Sequence, residues 1–147
     1  MKEFVIKSVN VSDKKGVIKN AVDSIELDES GILGDAHSGN WHRQVSLLSQ
    51  ESIERAEALA QSKFPFGTFA ENLTTQGIVL HKANILDRFV NDQIILEVTQ
   101  IGKKCHTSCE IGRKIGNCIM PLEGIFCKVI KGGTIRPSDT FKYIPKN

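Results

Sequence analysis

The sequence lacks any run of about 18 apolar residues, and its first ten residues lack the apolar core of a signal peptide, since Lys2, Glu3 and Lys7 are charged. We therefore expect no contact with a membrane and predict a cytoplasmic protein. Aromatic residues make up only 6% of the chain and the formal net charge is +2, which disfavours a partner of the nucleic-acid class.

Four common catalytic motifs are also missing: the phosphate-binding G-x-x-x-x-G-K-[ST] loop, the dinucleotide G-x-G-x-x-G turn, the G-x-S-x-G elbow and the H-E-x-x-H zinc motif. Their absence disfavours the corresponding classes of enzyme. Proline occurs only four times, and no Ser/Gly-rich linker or internal repeat interrupts the 147 residues. We predict one domain spanning residues 1–147.

Cysteine is absent from the first 104 residues, and the four cysteines then fall within 23 residues, at Cys105, Cys109, Cys118 and Cys127. In a cytoplasmic protein these are expected to be thiols and not disulfides. Their spacings, C-x3-C followed by two C-x8-C steps, match neither the paired knuckles of structural zinc nor iron–sulfur ligation. A structural zinc site nevertheless stays open as an alternative.

Charge is distributed unevenly, because residues 1–100 carry 10 Lys+Arg against 14 Asp+Glu whereas residues 101–147 carry 9 against 3. The cysteines therefore lie in the basic part of the chain. Lys103, Lys104 and His106 surround Cys105 and favour its thiolate, the form that acts as a nucleophile or metal ligand. A buried, inert Cys105 is the alternative. Cys127 lies in a hydrophobic run and is predicted to be a small core residue.

The pattern of apolar residues predicts a mainly β protein, a closed, strand-rich β-barrel with one or a few short helices. The helix is predicted at Gln50–Gln61, with Ser49 as its N-cap and Glu51 near its positive end. Its apolar stripe is expected to comprise Ile53, Ala56, Leu59 and Ala60. The predicted strands are Phe4–Val11, Val17–Leu27, Gln93–Ile101, Gly124–Ile130 and Thr140–Ile144.

Two polar segments are candidates for a binding site. Residues 31–43 are a glycine-rich loop that carries Asp35, His37, Trp41, His42 and Arg43. These side chains suit a ligand with phosphate or amide groups, but they also suit a loop whose polar groups bond to one another.

The second segment places Glu71-Asn72 between Phe69 and Leu73. An asparagine amide either binds the edge of a heterocycle or bridges strands, and the residues alone do not decide between these roles.

Several motifs recur in one order along the chain: GDAHSG with HRQVSLLSQESI, GTFAENLTTQGI, ILEVTQIGKKCH, C-x-M-P-x-E-G-I-F and KGGTI. Together they resemble the MOSC family, named for the C-terminal domain of molybdenum cofactor sulfurase, and most closely its small stand-alone bacterial members. The resemblance implies a closed barrel. Glycine, usual in that family, is replaced at Leu86-Asp87, Asn91-Asp92 and Ser138-Asp139, which we interpret as turn variations.

The resemblance implies that Cys105 accepts sulfur or ligates molybdenum, so it is both the catalytic and the metal-binding candidate. The implied cofactor is molybdenum cofactor (molybdopterin). The implied partner is either a cysteine desulfurase, which alone would contain pyridoxal phosphate, or a molybdoenzyme. The candidate cofactor-binding residues are Asp35, His37, Arg43, Glu71, Asn72, Lys103 and Lys131.

Other functions remain open at this stage. They are a molybdenum-dependent reductase of N-hydroxylated compounds that needs an electron-donating partner, a binding module without chemistry of its own, and a zinc-stabilised structural domain. Whether the protein is an enzyme is not decided by the sequence.

Overall fold

The computed structural model describes residues 2–102 and 123–146. The candidates Lys103 and Cys105 lie outside the described residues, as do Cys109 and Cys118. The described chain contains eleven strands, one α-helix and one 3₁₀ turn. In order they are β1 (Glu3–Val11), β2 (Asn20–Val22), β3 (Ile25–Asp28), β4 (Gly31–Ile32), β5 (Val45–Ser49), α1 (Gln50–Ala60), β6 (Leu73–Gln76), the 3₁₀ turn (Leu80–Lys82), β7 (Arg88–Val90), β8 (Ile95–Ile101), β9 (Ile125–Lys131), β10 (Gly133–Ile135) and β11 (Thr140–Ile144).

Seven of these strands close into a barrel, so the predicted fold class is confirmed. The ring runs β1-β11-β7-β8-β9-β5-β6 and returns to β1, with β2 added beside β1. All neighbours are antiparallel except β5 and β6, which are parallel and are connected through α1. A separate three-stranded sheet contains β10, β3 and β4. No helix in the described part of the chain is long and apolar enough to cross a membrane.

The core divides into two clusters because α1 lies on the outside of the barrel. The larger cluster contains Phe4, Ile6, Leu47, Phe89 and many other apolar residues of the strands. The smaller one lies beneath α1 and consists of Leu48, Ile53, Ala56, Phe69, Ala70 and Phe126. Neighbouring residues of β5 and β9 thus belong to different clusters, as expected when successive side chains of a strand alternate between its two faces.

The strand predictions hold best where apolar alternation is strong. The β1, β8, β9 and β11 strands occur where they were expected, whereas the segment 17–27 forms two short strands and not one. A β-bulge between Ile6 and Ser8 reverses the alternation of β1, so that Ile6 and Val9 are both fully buried. The β4, β6 and β7 strands, which have only two to four residues each, were not predicted because so few residues establish no period.

The helix begins as predicted, because the Ser49 hydroxyl accepts a hydrogen bond of 3.0 Å from the Ser52 backbone N–H. The predicted apolar stripe is half wrong. Ile53 and Ala56 are buried, but Leu59 is 88% exposed and Ala60 is also exposed. The helix packs on the barrel only through its first two turns, so its last turn projects beyond the strands that would cover it.

Two of the positions that depart from the family pattern have left-handed backbone conformations. Leu86 has φ 77° and Ser138 has φ 78°, where a side chain is unfavourable and glycine is free of strain. The Ser138 N–H donates to the Ile6 carbonyl at 2.8 Å, so the barrel holds the turn in this conformation. At both turns the backbone therefore has a conformation typical of glycine, although Leu86 and Ser138 carry side chains that disfavour it.

We expect Ser138→Gly to raise the free energy of unfolding by about 0.5–1 kcal/mol, because glycine relieves the left-handed strain at some cost in chain entropy. The corresponding rise in Tm is about 1–4 °C. Thermal melts of both proteins measure the difference. Ser138→Ala is the matched control, because it keeps a Cβ at the same φ and should give no gain. An equal gain from alanine would contradict the argument from strain.

Candidate functional site

The glycine-rich segment forms a loop between β4 and β5, and Gln44 fastens its end to the barrel. The Gln44 side-chain amide donates to the carbonyls of Glu29 at 2.7 Å and Gly39 at 2.9 Å. Its carbonyl oxygen accepts from the Val129 N–H of β9 at 2.8 Å. The sequence analysis did not identify Gln44, because a single glutamine before a strand gives no signal of its role.

Asp35 forms a fully buried ion pair with Lys19, whose ammonium lies 2.8 Å from the carboxylate. The same carboxylate accepts hydrogen bonds from the N–H groups of Ser12 and His37 at 3.1 and 2.9 Å. Burial raises the pKa of Asp35, but the hydrogen bonds from His37 and Lys19 outweigh it and hold the pKa well below its usual range. The carboxylate therefore binds the loop 33–44 to the loop between β1 and β2.

Glu71 and Asn72 are both fully buried where three strands approach one another. The Glu71 carboxylate accepts from the Gly67 N–H at 2.9 Å and from the Thr74 hydroxyl at 2.8 Å, and burial raises its pKa. The Asn72 side chain accepts from the Ser46 N–H and donates to the Asn10 carbonyl. Of the two roles considered for this asparagine, the observed contacts are those of a strand-bridging amide.

Arg43 is half-buried and lies against two aromatic rings. Its guanidinium carbon lies 4.7 Å from the centre of the Trp41 ring and 5.8 Å from that of Phe126. The Nε atom is buried and has no hydrogen-bond partner among the described residues. An unpaired buried donor is costly, which makes Arg43 a fit for an external acceptor such as a phosphate oxygen.

The neighbours of Arg43 are also aromatic or basic. Lys15, from the loop between β1 and β2, places its ammonium 4.5 Å from the centre of the Trp41 ring. The indole N–H of Trp41 donates to the His37 carbonyl at 2.7 Å. The His42 ring is 2.9 Å from the side-chain oxygen of Gln100 at the end of β8. We name Lys15, Trp41, His42 and Arg43 the basic–aromatic cluster.

The described residues that border the cysteine segment lie next to this cluster. The Gly102 N–H donates to the Gly124 carbonyl at 2.7 Å, so the end of β8 and the beginning of β9 are adjacent. Gln100, which contacts His42, is two residues before Gly102. The cluster is thus close to Gly102 and Gly124, which lie on either side of the cysteine segment in the sequence. Lys131 is at the opposite end of β9, five residues beyond Phe126, and does not join the cluster.

Glu123 connects the beginning of β9 to α1 and was not singled out from the sequence. Its carboxylate accepts a hydrogen bond from the Ser52 hydroxyl at 2.5 Å and pairs with the Arg55 guanidinium. Burial opposes ionisation, but the contacts with Ser52 and Arg55 lower the pKa of Glu123.

Cys127 is fully buried in β9, as predicted for a small core residue. Burial raises the pKa of its thiol far above the ordinary value, and the nearby charge of Glu97 adds to the effect. Cys127 is therefore unsuited to nucleophilic chemistry.

We expect Asp35→Asn to lower the free energy of unfolding by about 3–5 kcal/mol, because the variant leaves the Lys19 ammonium buried without its counter-charge. The double variant Lys19→Met, Asp35→Asn removes both charges and keeps one of the two oxygens that accept from the N–H groups of Ser12 and His37, so it should recover part of this loss. Urea unfolding at pH 7 measures all three proteins. A cost below about 1 kcal/mol for the single variant would contradict the ion-pair argument.

The lowered pKa of Asp35 also predicts a dependence of stability on pH. A carboxyl group with a lower pKa in the folded than in the unfolded chain stabilises the protein above its unfolded value of about 4, and that stability is lost as the pH falls below it. The wild-type protein should therefore lose more stability between about pH 4 and pH 2 than the double variant does. Urea unfolding at several pH values measures the free energy of unfolding of both proteins. An equal loss of stability in the two proteins over this pH range would contradict the prediction.

Comparison with known proteins agrees with this architecture. The model of the MOSC domain matches residues 34–142. Among solved structures, the YuaD protein of Bacillus subtilis has a TM-score of 0.82 at 15% identity, covering 99% of this chain and 97% of that one. YiiM of Geobacillus stearothermophilus has a TM-score of 0.76 at 19% identity, with 97% and 76% covered.

YiiM of Escherichia coli has a TM-score of 0.70 at 17% identity, covering 100% of this chain and 71% of that one. At these identities the likeness shows the fold alone. No curated protein matches the sequence significantly. The family match covers most of the chain, including Asp35, Arg43 and the β5 strand that follows them. The chain belongs to the MOSC domain family, which is associated with binding of the molybdenum cofactor.

Proposed function

We propose that this protein binds molybdenum cofactor, with Cys105 as the sulfur acceptor or metal ligand and Arg43 as a ligand of the pterin phosphate. The proposal rests on the surroundings of the Arg43 side chain. Its guanidinium lies between the rings of Trp41 and Phe126, and its buried Nε has no hydrogen-bond partner among the described residues. A phosphate oxygen is an acceptor that matches such a donor in charge and geometry.

The position of this arginine along the chain supports the same conclusion. Next to Arg43, His42 contacts Gln100, and Cys105 follows Gln100 by five residues in the sequence. When bound, the cofactor would supply a molybdenum centre that prefers soft thiolate ligands. The chain itself would supply the thiolate, the basic surround and the arginine.

In the sulfur-carrier form of the proposal, the partner is a pyridoxal-phosphate-dependent cysteine desulfurase. The Cys105 thiolate attacks the terminal sulfur of the desulfurase persulfide, the S–S bond breaks, and the donor cysteine leaves as a thiolate. The persulfide is then on Cys105, with no net oxidation or reduction. This chemistry needs reduced thiols, so we place the protein in the cytoplasm.

Three of the candidate cofactor-binding residues are assigned a supporting role in this proposal. Asp35, Glu71 and Asn72 use their polar atoms for contacts within the fold, and their side chains are buried. They would act by holding the loop 33–44 and the neighbouring strands in position. Lys103 stays a candidate near Cys105 in the sequence, and Lys131 at the far end of β9 is a weaker one.

A molybdenum-dependent reductase of N-hydroxylated compounds is the alternative, in which Cys105 ligates the metal and a partner supplies electrons. It shares the cofactor and Arg43 with the main proposal, and differs in requiring turnover of an N-hydroxylated base. A structural zinc site is a further alternative. No group of three or more candidate metal ligands occurs within residues 2–102 and 123–146, so the described chain gives zinc no support.

We expect alkylation of the folded protein at mildly acidic pH to label Cys105 first and Cys127 last. Basic residues surround the first thiol in sequence, whereas burial raises the pKa of the second. Peptide mapping by mass spectrometry after short exposure to iodoacetamide gives the order of labelling. Unfolding in urea serves as the control, because it should make Cys127 react. Early labelling of Cys127 in the folded protein would reverse the assignment.

The central test is metal and pterin analysis of protein made in a host that synthesises molybdenum cofactor. We expect Cys105→Ser to lose loaded sulfur or molybdenum while Cys109→Ser, the matched control, retains both. Arg43→Lys should weaken binding of a phosphorylated pterin by about 1.5–3 kcal/mol, roughly 10- to 150-fold, because lysine does not reproduce bidentate contact. Bound zinc in place of molybdenum and pterin would overturn the proposal.

A further inference from the structure

We propose that Lys15 and Arg43 together bind the doubly charged phosphate of a phosphomonoester, and that Trp41 is the platform that holds both cations. This inference rests on the proposed function and deepens it by naming the ligand class and two further residues. Trp41 was noted from the sequence as part of the glycine-rich candidate loop, but Lys15 was not a candidate, because 25 residues separate it from Trp41 and no motif joins them.

The geometry begins with the indole ring. The Lys15 ammonium is 4.5 Å and the Arg43 guanidinium carbon 4.7 Å from its centre. Because these two distances together make 9.2 Å, the two cationic groups are no further apart than that. Each cation is attracted by the electron-rich face of the ring, which compensates in part for their mutual repulsion. Two positive charges are thus held within 9.2 Å of each other.

No carboxylate within the described residues forms an ion pair with either cation. Four other basic residues within residues 1–100 are paired: Lys19 with Asp35, Arg55 with Glu123, Lys63 with Glu57 and Arg88 with Glu97. Lys15 and Arg43 are among those without such a pair within the described residues, in a segment that carries more acidic than basic groups. A pair of uncompensated cations attracts an anion, and the buried Nε of Arg43 supplies a donor for it.

The two cations are also preorganised, although they belong to different loops. The Ala36 N–H donates to the Ser12 carbonyl at 2.8 Å, and the Asp35 carboxylate receives both the Ser12 N–H and the Lys19 ammonium. These contacts join the loop of Lys15 to the loop of Arg43. The hydrogen bond from Trp41 to the His37 carbonyl fixes the orientation of the ring. The backbones of both loops are therefore in position before the anion binds, which lowers the entropic cost of binding.

The arrangement favours a dianion over a monoanion. A phosphomonoester carries a charge of about −1.5 to −2 near pH 7, with three terminal oxygens to share between a planar guanidinium and a compact ammonium. A phosphodiester has a single charge and two free oxygens. We infer that the ligand presents a terminal phosphate here, and that a phosphate esterified on both sides is bound less well.

Trp41 is the only tryptophan of the chain, so its intrinsic fluorescence reports directly on the cluster. The full-length protein is titrated at low salt with methyl phosphate and, separately, with dimethyl phosphate. We expect a saturable change with methyl phosphate and at least a roughly 10-fold weaker response to the diester. Equal responses to the two esters, or no saturable change with methyl phosphate, would overturn the proposal.

Substitutions then assign the effect to residues. Lys15→Ala should weaken the binding of methyl phosphate by roughly 3- to 10-fold. The neighbouring exposed Lys14→Ala, with the same change in net charge, is the matched control and should bind nearly as the wild type does. Trp41→Phe lacks the tryptophan reporter, so its binding is followed by phosphorus NMR, and its affinity should lie between those of the two lysine variants. Equal effects of Lys14→Ala and Lys15→Ala on the affinity would mean that only the net charge of the protein attracts the phosphate, and would contradict the proposed site.

The failure of this inference differs from failure of the proposed function. If Arg43→Lys weakens pterin binding but Lys15→Ala does not, the two-cation site is wrong and the cofactor proposal stands. If methyl phosphate binds as described but no pterin or molybdenum is found in the purified protein, the phosphate site stands and the cofactor proposal falls.

Discussion

The β1 strand hydrogen-bonds to β11 at one edge and to β6 at the other, and this shared strand closes the barrel. Its first residues pair with β11 and its last ones with β2, with the bulge near Ser8 between. A closed sheet leaves no free edge in the ring, so every ring strand has two partners. The loop that follows β1 is consequently held at a defined place, and Ser12 and Lys15 are on it.

A buried charge pair then determines how the outer loops lie on this barrel. Lys19 and Asp35 lose their hydration, which is costly, and the cost is offset only because the ammonium and carboxylate also have hydrogen-bond partners. Such a pair gives specificity of arrangement more than net stability. It joins the two loops that carry the basic–aromatic cluster, so the geometry of that cluster depends on residues that never reach its surface.

The charged residues of the candidate site are of two kinds. Polar residues that stabilise the loops are buried and paired, whereas Lys15 and Arg43 lie against an aromatic ring and keep their charge available. The neighbouring strand ends at Gln100 and Gly124 border the cysteine segment. In the proposed function, the anion-binding surface lies near the two strand ends that border the cysteine segment. In that view Arg43 acts on the ligand, and Asp35 acts through the position of the loop.

The sequence by itself determined the fold class, the longest strands, the cap of the helix and the family, because apolar alternation, Ser49 and ordered motifs are local signals. It also predicted the core position of Cys127. Only the tertiary structure decided that Asp35 faces Lys19, that Asn72 bridges strands and that Lys15 meets Arg43 on Trp41. These contacts join residues that are far apart in the chain, and they form only when the barrel closes. A local sequence pattern therefore does not predict them.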